Sequence, residues 1–148
     1  MNIQILRTLF KRDLNKLKME IETYQNEEHV WVIDDGISNS GGNLCLHLIG
    51  NLNAFIGAEL GKTGYIRNRE LEFSAKNIPK NELVAKIEDT ITAVDMVLSN
   101  LDPAKLDEDY PVLVFKEKTS TGHFLTHLAT HLTYHLGQIN YHRRLLDT

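Results

Sequence analysis

The chain has 148 residues, 42% hydrophobic and 24% charged, and its 16 basic and 20 acidic side chains leave a net charge of −4. That length suits one domain, residues 1–148, with its own core, and the mixed charges exclude a polybasic face for nucleic acid or anionic membrane. No continuous apolar run nears the roughly 18 residues of a membrane span, the N-terminus lacks a signal-peptide pattern, and Cys45 stands alone, which together predict a cytoplasmic protein.

Four stretches carry helical periodicity. In the first, Leu6, Phe10, Leu14, Leu17, Ile21 and Tyr24 recur at three- and four-residue steps, with Lys11, Arg12, Lys16 and Lys18 between them as a solvated face. The second begins after Ser38-Asn39-Ser40-Gly41-Gly42, sets Leu44, Leu48, Leu52 and Phe55 on one face, and stops near Gly61. The third is announced by Asn77-Ile78-Pro79, runs through Leu83, Ile87, Ile91, Val94 and Leu98, and stops before Asp102-Pro103. The fourth starts at Thr119-Ser120-Thr121 and continues through Phe124, Leu128, Leu132, Leu136 and Ile139.

Two long connections, residues 27–42 and 62–79, are expected to cover either surface or a site, and residues 110–117 could form a short extended segment. Four amphipathic helices without alternating strand patterns predict an all-α four-helix bundle.

The last helix places His123, His127, His131 and His135 at intervals of four, so neighbours in the row stand above one another and could chelate one metal. At about 100° per residue, the apolar residues of this helix define a buried direction. His131 and His135 lie on its shoulder, His135 nearer, while His127 lies further round and His123 points away. Two imidazoles turned towards an apolar interior need partners, because burying an unpaired polar group is costly. His47, on the second helix in NLCLHLIGN, offers a third ligand, and three histidines with open coordination positions suit a catalytic rather than a closed structural metal. Its position on a stripe with Asn51, Ala54 and Ala58, beside the apolar face, supports it less strongly than periodicity supports the other two.

GNLCLHLIGN around His47, RNRELEF from Arg67 to Phe73, and HLATHLTYHLGQI around the last helix resemble the DinB/YfiT-like superfamily of metal-dependent bundle proteins, which includes bacillithiol-transferase-like members. The resemblance spans roughly residues 40–146. It implies an up-down-down-up bundle, often dimeric, with a metal triad on His47, His131 and His135. It makes His127 an additional histidine near the metal and Gln138 a structural or supporting residue. It also implies a small-molecule substrate, with a low-molecular-weight thiol as co-substrate.

Several absences bear on the chemistry. The segment His131-Leu-Thr-Tyr-His135 lacks the glutamate of H-E-x-x-H, and no Glu-x-x-His occurs, which argues against a di-iron bundle. Cys45 reads as core, and His29 and His142 as surface or terminal residues without partners. Tyr134 and Tyr141 could pack at a helix interface or offer a hydroxyl to a ligand. Three histidines suit a divalent ion, zinc or nickel first and iron as a further option. Such a site could activate a thiol for transfer or water for hydrolysis, Glu70 or Glu72 then supplying a base; the alternative is a non-catalytic metal- or ligand-binding module.

Overall fold

The computed structural model describes residues 2–148, and helices are the only regular elements among them. We number them α1 (Ile3–Thr23), α2 (Gly41–Gly61), α3 (Arg69–Ser74), α4 (Lys80–Asn100) and α5 (Thr121–Leu146). Side-chain caps set four of the starts, and those of α2 and α5 fall in the expected Ser/Thr/Asn clusters. The side chains of Asn2, Ser40, Asn68 and Ser120 each accept a backbone N–H in the first turn of their helix.

The apolar stripe of α1 is buried throughout, from Leu6 to Tyr24. It packs on α4, with Arg7 paired to Asp95 and Lys18 to Glu88 at the edges, each at 3.0 Å. These pairings run α4 against α1. Asp13 meets Thr133 and Glu20 meets Arg143 across the α1–α5 seam, so α5 runs with α1. Helix α2 opposes α5, with Phe55 edge-on to Phe124 at 5.1 Å. It also runs along α4, where Asn53 reaches Thr90. The buried hydrophobic residues of all four long helices form one core cluster.

Helix α2 departs from regular α geometry. Residues Asn53–Ala58 form a π turn, so the register shifts, and Ile56 rather than Phe55 is fully buried. Side chains satisfy the disturbed backbone: Asn53 Nδ2 donates to the Ile49 carbonyl (2.8 Å) and the Tyr110 hydroxyl to that of Phe55 (2.5 Å). Contrary to the sequence expectation, α2 is long and apolar enough by composition to cross a membrane. However, 61% of its apolar window is buried in the protein, as in a core helix.

The long connections hold structure that periodicity did not reveal. Residues Glu27–Trp31 form a 3₁₀ turn that carries Trp31 onto the start of α2, where a Cβ on Gly42 would overlap the indole. The 62–79 connection contains α3. Asn43, buried in α2, holds α3 in place by donating to the carbonyls of Glu72 and Ala75 at 3.0 and 2.8 Å. Residues 110–117 form no strand; an isolated bridge joins Asp109 and Ser120, which flank them.

Candidate metal centre

The row on α5 divides as its angles require. His123 and His127 are exposed, whereas His131 and His135 are half-buried against α2. His47 is buried on the facing side, so the structure brings together His47, His131 and His135. One ring nitrogen from each lies within 4.8 Å of the others. His127 stays outside this group, stacked on Phe124 and flanked edge-on by Phe115.

The second nitrogens decide which lone pairs face inward. His47 Nδ1 lies 3.1 Å from Glu72 Oε1; a carboxylate can only accept, so Nδ1 carries the proton and Nε2 a free lone pair. Arg67 Nη2, at 3.4 Å from the same nitrogen, is the weaker neighbour. His135 Nδ1 stands 2.7 Å from Gln138 Oε1, which fixes its ring in the same sense. His131 is different: its Nδ1 is buried with no hydrogen-bond partner, and its Nε2 lies 3.2 Å from Nε2 of His47. Two nitrogens bound tetrahedrally at about 2.05 Å stand ~3.3 Å apart, so this separation suits a shared ion as well as it suits a hydrogen bond.

Burial favours the neutral form of His131 and His47, the form that ligates. It pushes His131 down to about 4, helped by repulsion from His135 and His47. It also lowers His47, against the opposing pull of its hydrogen bond to Glu72. The residues therefore fit a divalent ion in donor type, protonation and spacing.

Sequence reasoning missed the support around His47. Glu72 is buried, oriented by Arg67 through two hydrogen bonds of 2.9 and 3.0 Å, and bonded to the histidine face turned away from the trio. It holds the His47 ring through Nδ1, the nitrogen turned away from the other two histidines. Glu70 is exposed. Gly50, one turn on from His47, leaves the space that the Glu72 carboxylate occupies, since a Cβ there would overlap it. The signal was present in RNRELEF, but an Arg and a Glu five residues apart in a connection carry no periodicity.

Other expectations are corrected here. His142 is buried: its Nε2–H donates to the Val32 carbonyl (2.8 Å) and its Nδ1 accepts from the Tyr24 hydroxyl (2.6 Å). His29 pairs with Asp147 at 3.0 Å. Tyr134 and Tyr141 are 65% and 62% exposed, so neither packs between helices of this chain. Cys45 is core, as its position suggested, and burial raises its thiol to about 12.

With this geometry in hand, comparison with known proteins adds the family. A family model described as "Protein of unknown function (DUF1572)" matches residues 2–148. The chain belongs to the DUF1572 family. No curated protein matches it. Membership covers both halves of the centre, the α2 segment with His47 and the α5 segment with His131 and His135, together with the α3 support.

Proposed function

We propose that the protein is a DinB/YfiT-like four-helix bundle of up-down-down-up topology that holds one divalent metal, zinc or nickel before iron, on His47, His131 and His135. We further propose that it uses the metal to activate a low-molecular-weight thiol for transfer to a small organic molecule. One observation carries this reading: three imidazole nitrogens from two facing helices converge within 4.8 Å. The directions of α1, α4 and α5 set by their cross-helix pairs support the topology. A divalent ion in this place would make a thiol or water molecule bound to it more acidic.

The chain's own residues favour the thiol over water. His47 and His135 are fixed by Glu72 and Gln138, so their lone pairs are aimed before any ligand arrives. Glu72 is committed to Arg67 and sits behind His47, and among the described residues no carboxylate joins the converging nitrogens to take a proton from water. A thiol needs less help in losing its proton. A cytoplasmic homodimer belongs to the same proposal and rests on the resemblance and on the lone, buried Cys45.

The test is elemental analysis of protein purified without a histidine tag, followed by titration of the cobalt-substituted form with a small thiol. We expect about one ion per chain and a sulfur-to-cobalt charge-transfer band. A chain that retains no ion refutes the metal reading. A cobalt spectrum indifferent to thiol refutes the transferase reading and leaves a binding module.

A further inference from the structure

A cleft of about 760 Å³ lies between the C-terminal half of α5 and the loop that leads into α2, and His135 forms part of its wall. Its size is that of an organic-ligand site. Leu44 and Leu145 line it with Tyr134 and Tyr141. Three of these, Tyr134, Tyr141 and Leu145, are more than 60% exposed on one stretch of α5.

The charge on the walls has one sign. Among the described residues, Asp34 and Asp35 are the only carboxylates that line the cleft, and no lysine or arginine lines it. Arg144 lies over one face of the Tyr141 ring at 5.1 Å but is not part of the lining. His142, also in the wall, has both nitrogens engaged by Tyr24 and Val32. The acidic pair is held at the rim by a tight turn. The Asp35 N–H donates to Asp34 Oδ1 (2.8 Å), the Ile37 N–H to the Asp34 carbonyl (3.3 Å), and Gly36 adopts a positive φ of 86°.

We infer that this cleft binds the organic substrate of the metal centre, and that the substrate is a cation with an aromatic or alkyl body, of the arylalkylammonium class. The ammonium group sits at Asp34 and Asp35, and the body lies against Leu44 and the open face of Tyr134, where a cation-bearing aromatic gains both apolar burial and ring contact. Its other end faces His135. An anion of the same shape meets two carboxylates and no counter-charge, so the walls select against it. The inference rests on the reading of His47, His131 and His135 as a metal centre for its chemistry, but binding in the cleft does not require the metal.

The experiment titrates phenethylamine, a cation at neutral pH, and 3-phenylpropionate, its anionic counterpart, into chelated and zinc-treated protein, followed by amide NMR. We expect saturable shifts over residues 34–37 and 134–145 with the amine in both samples, and binding of the anion weaker by about tenfold or more. The double variant Asp34→Asn/Asp35→Asn, at two exposed positions, should abolish that preference, and Tyr134→Ala should weaken both probes. In cobalt-substituted protein, the bound amine's protons should broaden. Equal or tighter binding of the anion, shifts confined to other surfaces, or no saturable shift would overturn the inference. Amine binding in a chain that takes up no metal retains the cleft and refutes the metal centre. Metal uptake without amine binding refutes the cleft alone.

Discussion

The seam between α1 and α4 and the seam between α2 and α5 are built on opposite rules. The first is apolar at its centre, with ion pairs at its edges such as Arg7–Asp95 and Lys18–Glu88, partly exposed and worth at most about 1 kcal/mol each. The second buries His47 and Asn51 in α2 opposite His131 and interrupts α2 with a π turn. Among the described residues, the buried side-chain atoms without a hydrogen-bond partner are Asn51 Oδ1 and His131 Nδ1, both on these two helices. Each such atom costs about 1–3 kcal/mol. A fold that satisfies one seam and leaves the other wanting has placed its polar cost beside the three converging histidines.

The largest difference between the seams should appear on loss of a metal ligand. His47→Ala and His131→Ala should each weaken metal binding by more than the roughly 100-fold typical of changes to outer-shell partners. Each should also abolish the rise in melting temperature that metal gives the wild type. His123→Ala, at an exposed ring, should change neither. Calorimetry with metal and with chelator measures both quantities, and equal losses at His123 and His131 would mean that burial on α5 does not choose the ligands. The α1 seam should respond in another currency. Leu17→Ala removes a fully buried side chain and should cost about 2–5 kcal/mol in urea unfolding. The loss should be the same with or without metal; dependence on metal would show that the seams are not independent.

The asymmetry was only partly visible in the sequence. The α1 stripe, the four long helices and the choice of His131 and His135 over His123 follow from period 3.6, because an angular position on a regular helix is a property of spacing alone. His47 gained less from periodicity, since a ring between two helices lies off the centre of the apolar face; resemblance singled it out, and the facing α5 explains its place. The order of the pair also came out differently. The angular position puts His135 nearer the core, yet His131 carries the buried, unpartnered nitrogen and His135 borders the cleft. Glu72, Arg67 and Gly50 form a contact between a connection and a helix, set by tertiary approach, and no local pattern encodes it. The same holds for His142, whose partners Tyr24 and Val32 are more than a hundred residues away.

Acid should weaken the metal-free protein through the polar seam first. His47, His131 and His142 all titrate lower in the folded chain than the ordinary 6.5, chiefly because burial disfavours the cation. The unfolded chain therefore binds more protons below that value. Stability is complete above pH about 6.5 and is lost as the pH falls towards about 4, where His131 takes its proton. Metal should leave in the same window, because the ligating imidazoles must be neutral. Urea midpoints of chelated protein measured from pH 7.5 to 4.5 check this, and a flat profile would mean that these rings are already solvated.

The smallest effect expected to be measurable is at Glu72, and it separates support from chemistry. Glu72→Gln keeps an acceptor for the Nδ1–H of His47 but removes the charge that strengthens the bond and leaves Arg67 without its ion partner. Ligand basicity should fall, and metal affinity with it, by about tenfold, the low end for an outer-shell change. Glu72→Ala removes the acceptor altogether and should lose more, towards about 100-fold. Competition with a chromophoric chelator measures both. A carboxylate acting as a base would behave otherwise: Glu72→Gln would leave metal affinity intact and abolish turnover while the site stayed loaded. Affinity that falls in the order wild type, Gln, Ala identifies a residue that aims His47. Unchanged affinity in both variants would mean that the contact across Gly50 does not tune the metal.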